Sequence, residues 1–99
     1  MSEAPQPPAP AQLPAAETVL VSLPPYAVIL HNDDHNSMDH VVQSLLACVP
    51  ELEAEGAIQV MLMAHEEGQA RVIRCPLERA ELYRDRLEAQ GLTATIEKA

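Results

Sequence analysis

A short apolar strand that passes directly into an Asn-Asp-Asp turn constrains the fold more than any other feature of this sequence. Residues 26–31, YAVILH, are mostly apolar and β-branched and follow Pro-Pro, a pattern typical of a central strand. The NDD triplet at residues 32–34 favours a turn, because these side chains bond readily to nearby backbone N–H groups. Asn36 or Ser37 can then cap a helix, so a strand, a polar turn and a helix are expected in immediate succession.

Three amphipathic helices are predicted after the turn. The first ends at Pro50, and the second follows Pro50 and ends at Gly68, a good left-handed cap. Pro50 can also start the second helix at its first turn, but Gly56 within this helix is a poor helix residue, so a break or a late start near Gly56 is expected. The third helix lies between Pro76 and Gly91. The apolar faces are predicted to comprise Met38, Val41, Val42, Leu45, Leu46 and Val49 in the first helix, Ala54, Ala57, Ile58, Met61, Leu62 and His65 in the second, and Leu77, Ala80, Leu82 and Leu87 in the third.

Two further strands complete the pattern, at residues 69–75 and at residues 92–97, where apolar and polar side chains alternate. The order β-α-α-β-α-β predicts an α+β domain over residues 25–99, with a small three-stranded sheet covered by helices on one face. Residues 1–24 hold six prolines among Ala, Gln and Glu, a composition typical of a disordered extension.

The charge balance narrows the classes of partner. The chain has 15 Asp and Glu residues against 6 Lys and Arg, a net charge of -9. This balance disfavours nucleic acid and anionic membrane surfaces, both of which attract cationic proteins. A cationic ligand such as an amine or a basic peptide is the better electrostatic match.

The sequence also indicates a soluble, cytoplasmic protein. Its first residues lack the pattern of a signal peptide, and no segment approaches the ~20 apolar residues that span a bilayer. Cys48 and Cys75 have no zinc or redox spacing, so buried, reduced thiols are expected.

Asn32, Asp33, Asp34 and His65 are the candidate ligands for a cation, because amide, carboxylate and imidazole groups all accept hydrogen bonds. The spacing of His65 on its helix predicts that it faces the sheet rather than solvent. For each residue there is a plainer interpretation: the NDD triplet can serve only the turn, and His65 can be a hydrogen-bonded core residue.

Several motifs in a fixed order resemble the ClpS family of Clp protease adaptors. They are NDDHNSMDHV at residues 32–41, MLMAHEEG at 61–68 and LTATIEKA at 92–99, and the resemblance covers roughly residues 25–99. It implies an adaptor rather than an enzyme, with no cofactor. Such an adaptor binds a bulky N-terminal residue, Leu, Phe, Tyr or Trp, and delivers the substrate protein to the ClpA unfoldase of the ClpAP protease, or to a ClpC-type unfoldase.

The resemblance also implies roles for individual residues. Asn32, Asp34 and His65 match the positions that bind the α-amino group, and Asp33 contributes to positioning or to peptide contacts. Met38 matches a gatekeeper that excludes β-branched side chains. The expected pocket lining is Asn36, Met38, Val41, Met61, Ala64 and Leu92, and the expected unfoldase-docking residues are Glu78, Glu81 and Tyr83.

This chain departs from the family pattern at a few of these positions. Asn36 and Ser37 replace a usual Thr-Pro, which is expected to polarise or loosen the pocket rim. Ala64 replaces a usual Val or Ile and is expected to widen the pocket, and Tyr83 replaces a usual Lys. These departures leave open a ClpS-like interaction module that binds no N-terminal residue, since a fold does not fix a function.

A metal site and an enzyme are the remaining alternatives. His31, His35 and His40 crowd the turn together with Asp33 and Asp34, and imidazole with carboxylate suits zinc. Their spacing is poor, because the first histidine ends a strand and the third lies on a helix face away from the pocket residues. An acid-base pair of Asp34 and His65 would need a nucleophile, and neither cysteine is placed near it.

Overall fold

The computed structural model describes residues 23–99. Residues 1–22, most of the predicted extension, lie outside the described part of the chain, and the disorder of that extension stays a prediction. The elements in chain order are β1 (Tyr26–His31), α1 (Met38–Cys48), α2 (Ala54–Glu67), β2 (Gln69–Cys75), α3 (Leu77–Ala89) and β3 (Thr93–Lys98). The α+β class and the β-α-α-β-α-β order are confirmed.

The sheet has the strand order β2-β1-β3, and both pairings of β1 are antiparallel. The strand that precedes the NDD turn is therefore central, as its apolar run predicts. The register on β2 shifts between Val28 and Ile29, which pair with Ile73 and Arg71 and leave Val72 as a bulge. The carboxyl end of β1, where the turn begins, is held on both sides.

The core lies between the sheet and the helices. Its largest fully buried side chains are Leu45 from α1, Val49 directly after α1, Leu87 from α3 and Val28 from β1. Each such side chain stabilises the fold by about 1.5 to 3 kcal/mol relative to an exposed one. No aromatic side chain other than tyrosine is available to this core, so aliphatic packing fixes the positions of the helices.

The helix ends follow the predicted signals. The Ser37 hydroxyl accepts a 3.1 Å hydrogen bond from the backbone N–H of His40 and caps α1. Helix α2 begins at Ala54, later than a start at Pro50, and continues through Gly56 without the break that was the alternative expectation. Gly68 ends α2 with a φ of 92°, a left-handed conformation that costs a side-chain-bearing residue free energy.

The predicted inward faces of α2 and α3 are partly wrong. Ile58 and Leu62 are 43% and 42% exposed, because α2 packs through its small residues, Ala57 and Ala64, and the neighbouring stripe faces outward. In α3 the leucines at 77 and 82 are 37% and 45% exposed, whereas Tyr83 is buried together with Ala80 and Leu87. The periodicity of the apolar residues predicted the helices correctly. It did not show which of two adjacent apolar stripes on each helix packs against the sheet.

None of the helices within residues 23–99 has the length and apolar character needed to cross a membrane.

Candidate functional site: an apolar pocket beside three polar side chains

A pocket of about 300 Å³ opens where the end of β1, the start of α1, the second half of α2 and Leu92 meet. Its walls are Leu30, His31, Asn32, Asp33, Asp34, Asn36, Ser37, Met38, Val41, Met61, Ala64, His65 and Leu92. All ten residues that the sequence predicts for amine binding and for the hydrophobic pocket lie on these walls. The residues that the prediction missed are Leu30, His31 and Ser37, each of them within two positions of a predicted residue.

A backbone hydrogen bond brings the two polar segments of the site together. The N–H of Asn32, the first residue after β1, donates to the carbonyl of Gly68 at 3.0 Å. Gly68 is the left-handed cap of α2, and its own N–H donates to Ala64 at 2.9 Å. The turn after the central strand is thereby tied to the last turn of α2, which carries His65.

Asp33 is committed to the structure of the turn. Its Oδ1 accepts hydrogen bonds from the backbone N–H groups of His35 at 2.8 Å and Asn36 at 3.0 Å. The amide group of Asn36 donates to both carboxylate oxygens. Partial burial raises the pKa of Asp33, but these hydrogen bonds outweigh it and the net pKa lies below the ordinary value. Asp33 therefore follows the plainer, turn-forming interpretation, and its acceptors are occupied.

Asn32, Asp34 and His65 differ from Asp33 in this respect. Within residues 23–99, none of their side chains takes part in a hydrogen bond, and all three are exposed on the pocket wall. The prediction that His65 faces away from solvent is wrong, because the small Ala64 beside it takes the inward position. An amide oxygen, a carboxylate and an imidazole nitrogen are left free to accept hydrogen bonds from a ligand.

The apolar part of the pocket has buried residues at its base and one long, exposed side chain at its rim. Ala64 and Leu92 are 2% and 4% exposed, and Val41 and Met61 are half-buried. Met38, the first residue of α1, is 47% exposed although it lines the pocket. A long unbranched thioether at the entrance can adapt to what enters or block it.

Asn36 and Ser37 in place of Thr-Pro were expected to polarise or loosen the rim, and the hydrogen bonds of Asn36 argue against loosening. In addition to its bonds to Asp33, the Asn36 amide donates to the carbonyl of Gly91 at 3.0 Å. The polar turn is thereby joined to the residue before Leu92.

The sequence profile of the family described as "ATP-dependent Clp protease adaptor protein ClpS" matches residues 22–95, most of the chain and all of the pocket. The chain belongs to the ClpS family.

Curated relatives of the same family cover most of this chain. An ATP-dependent Clp protease adapter protein ClpS from Synechococcus elongatus is 42% identical over 86 residues, 87% of this chain and 90% of the relative. A second, from Synechococcus sp. (strain CC9902), is 46% identical over 84% of this chain and 80% of the relative. The relatives are named as adapters of a protease and not as enzymes.

A solved ClpS structure shares the fold. ClpS2 of Agrobacterium tumefaciens, solved with bound L-phenylalaninamide, superposes with a TM-score of 0.72 at 28% identity. The match covers 77% of this chain and 98% of that one. The ClpS fold is therefore shared over nearly the whole of the described domain.

The three docking residues that the resemblance implies differ in their exposure to solvent. Glu78 and Glu81 are exposed on α3, whereas Tyr83 is only 4% exposed. Burial, and next the hydrogen bond that its hydroxyl donates to Glu51 at 2.7 Å, raise the pKa of Tyr83. Tyr83 lies on the same buried face of α3 as Ala80 and Leu87. The prediction that it forms part of a docking surface is therefore corrected, because Tyr83 packs in the core.

The histidines near the turn and the two cysteines do not form a metal cluster. Within residues 23–99 there is no group of three or more His, Cys, Asp and Glu side chains arranged to hold a metal. Nε2 of His31 lies 2.7 Å from Oγ1 of Thr95, and Nε2 of His40 lies 2.8 Å from the Gln90 carbonyl. Cys48 and Cys75 are free and buried, and burial raises the pKa of both thiols.

Proposed function

We propose that this chain binds the N-terminal residue of substrate proteins, prefers the bulky apolar residues Leu, Phe, Tyr and Trp, and delivers these proteins to the ClpA unfoldase of the ClpAP protease. The observation that supports the proposal is the position of three free hydrogen-bond acceptors at the edge of an apolar pocket. The N-terminal residue of a protein has a matching arrangement. Its α-ammonium group is a cation with hydrogen-bond donors, and its side chain, when apolar, lies directly beside that cation.

The polar wall suits an ammonium group. An α-ammonium has three N–H donors, and Asn32, Asp34 and His65 offer an amide oxygen, a carboxylate and an unprotonated imidazole nitrogen. The net charge of -9 adds a favourable field for any cation that approaches. An acetylated N-terminus has no positive charge and fewer donors, so it is expected to bind weakly.

The apolar pocket suits the side chain that follows. Its volume of about 300 Å³ falls at the lower end of small-ligand sites, and its walls include Met38, Met61 and Leu92. The L-phenylalaninamide bound to the Agrobacterium ClpS2 carries a free α-amino group and an aromatic side chain, which is the ligand class proposed here.

The chain itself makes and breaks no bond in this function. It acts through two surfaces, the pocket for the substrate and the outer face of α3 for a ClpA-type or ClpC-type unfoldase, in the cytoplasm. Glu78 and Glu81 are exposed on that face and are proposed to contact the N-terminal domain of the unfoldase. The extension at residues 1–24 is proposed to engage the unfoldase during delivery.

Fluorescence anisotropy with four labelled peptides tests the binding function. The peptides begin with Leu, Phe, Ile and N-acetylated Phe and are otherwise identical. Micromolar or tighter binding of the Leu and Phe peptides alone is expected, because binding then requires both the free amine and an unbranched Cβ. Equal binding of the acetylated peptide would remove the role of the amine, and no binding to any peptide would overturn the proposed function.

A second titration tests the docking surface with the isolated N-terminal domain of a ClpA-type unfoldase. Glu78→Lys is expected to weaken binding of that domain while leaving peptide affinity unchanged. Glu55→Lys, the same charge change at an exposed position of α2 outside the pocket, is the matched control. Equal effects of the two substitutions would show a general charge effect and would contradict the assigned surface.

A further inference from the structure

Leu92, which follows the turn between α3 and β3, forms part of the pocket wall. Leu92 is 4% exposed and its N–H donates to Leu87 at 3.1 Å, so it continues directly from the end of α3. Gly91 precedes it with a φ of 86°, a conformation that leaves the turn with a sharp bend. The position of this turn therefore decides where the wall of the pocket stands.

Two side chains of another segment hold the turn. The Gln90 carbonyl is 2.8 Å from Nε2 of His40, and the Gly91 carbonyl is 3.0 Å from Nδ2 of Asn36. A carbonyl oxygen can only accept, so the His40 Nε2 carries the hydrogen and donates it. The two consecutive carbonyls that follow α3 thus accept hydrogen bonds from Asn36, just before α1, and from His40 in the first turn of α1. The same turn of α1 provides Met38 to the pocket.

Each donor has a further polar neighbour. Ser44, one turn after His40, is 3% exposed and places its Oγ 3.4 Å from the same Nε2. The Asn36 amide has two hydrogens, and its contacts account for both: one hydrogen points to the Asp33 carboxylate and the other to Gly91. If either side chain turned away, its hydrogen bond to the turn would be lost and that carbonyl would be left to water.

We infer that His40 and Asn36 are positioning residues that set the width of the apolar pocket by holding the turn at residues 90–91, and with it Leu92, against the start of α1. The inference rests on the proposed function. It also joins the two halves of the site, because Asn36 connects the turn that carries the amine-binding residues to the wall that meets the ligand side chain. The distance from amine to pocket wall is then fixed by side-chain hydrogen bonds.

The consequence is a specific effect on selectivity. If the turn is released, Leu92 can move outward and the pocket widens on that side. A Leu side chain, which is shorter than Phe, then loses contact with the wall first. The ratio of Leu-peptide affinity to Phe-peptide affinity is expected to fall about three- to tenfold, the fold-change that corresponds to one net hydrogen bond.

The test compares four full-length variants with the unmodified chain by titration with the Leu and Phe peptides. His40→Leu and Asn36→Ala remove the donors, and His40→Gln restores an N–H donor at the same position. Gln43→Ala, an exposed position of α1 outside the pocket, is the matched control. Thermal unfolding of each variant identifies the folded ones, and Asn36→Ala carries the test if His40→Leu does not fold.

The expected result is a lower Leu-to-Phe ratio for His40→Leu and Asn36→Ala, with His40→Gln and Gln43→Ala close to the unmodified chain. A merely structural role would weaken both peptides by the same factor and leave the ratio unchanged, which would overturn the inference. If the unmodified chain bound neither peptide, the proposed function would fail and the inference with it. An unchanged ratio in a chain that binds both peptides would remove the inference alone.

Discussion

The Tyr83 hydroxyl donates a 2.7 Å hydrogen bond to Oε1 of Glu51, which is 32 positions earlier in the chain. Glu51 lies in the segment between α1 and α2, and Tyr83 lies on the buried face of α3. Arg79 approaches the same carboxylate at 3.4 Å, an exposed ion pair that contributes little. The tyrosine hydrogen bond therefore ties α3 to the connection between the other two helices.

Tyr83→Phe is expected to lower the free energy of unfolding by about 1 kcal/mol. The ring stays in the core, and the Glu51 carboxylate is 41% exposed, so water replaces part of the lost hydrogen bond. Urea denaturation at neutral pH measures the difference, with Tyr26→Phe as the control because that hydroxyl has no hydrogen bond within residues 23–99. Weaker unfoldase binding without any loss of stability would instead return Tyr83 to the docking surface.

The contribution of Glu51 should depend on pH in a defined direction. The hydrogen bond from Tyr83 is the largest cause that holds the pKa of Glu51 below its ordinary value, outweighing partial burial. A carboxyl with a lowered pKa in the folded state stabilises the fold above its unfolded-state pKa and loses that contribution as the pH falls. The stability difference between the unmodified chain and Tyr83→Phe is therefore expected to shrink between about pH 5 and about pH 3. A difference that grows on acidification would contradict the assignment.

Asp34→Ala is expected to weaken binding of an unblocked Phe peptide by about 1.5 to 3 kcal/mol, since it removes a charged acceptor from the ammonium. Anisotropy titration gives the change. Asp39→Ala is the control, because Asp39 is an exposed acid of α1 that does not line the pocket. Equal losses in both variants would reduce the role of Asp34 to net charge.

Met38→Ala is expected to admit peptides that begin with Ile or Val while keeping those that begin with Leu or Phe. Met38 stands at the entrance with 47% exposure, and its removal leaves space for a branched Cβ. Met63→Ala is the matched control, because Met63 is 54% exposed and outside the pocket. A Met38 variant that still rejects Ile and Val would refute the gatekeeper role.

Two glycine substitutions in α2 and its cap are expected to act in opposite directions. Gly68→Ala should destabilise the domain by about 1 kcal/mol, because its φ of 92° disfavours a Cβ although the space around it is open. Gly56→Ala should stabilise it by about 0.8 to 1 kcal/mol, since its Cβ would meet Leu52 at an ordinary 3.5 Å within a helix. Thermal unfolding of both variants provides the comparison, and a shift of the same sign in both would contradict the backbone argument.

Local signals in the sequence were sufficient for the elements. The apolar run before the NDD triplet defined the central strand at its observed bounds, Tyr26–His31, and Gly68 marked the end of α2. Ser37 was one of two predicted caps and is the cap observed. These features depend on neighbours within a few positions, so the sequence displays them directly. The family resemblance extended this information to the pocket, and the residues it named for amine binding and for the pocket do line one cavity.

Hydrogen bonds between distant positions could not be predicted in this way. The contacts of Asn36 with Gly91 and of His40 with Gln90 join residues 55 and 50 positions apart, and nothing in their local sequence indicates a partner. The helical spacing of His65 predicted that this side chain faces the sheet. It could not show that the neighbouring Ala64 would take the inward position instead.

The order of the strands and helices, their approximate bounds and the family to which they point could be read from the sequence alone, although β3 lies one position later than predicted and α2 begins four positions after Pro50. Which stripe of each helix is buried depends on packing across the whole domain, so that Tyr83 is a core residue while Leu82 is 45% exposed. The physical reason is that a helix with two adjacent apolar stripes can satisfy its own hydrogen bonds equally well in either rotation. The choice between the rotations depends on the surface against which the helix packs, and that surface comes from distant parts of the chain.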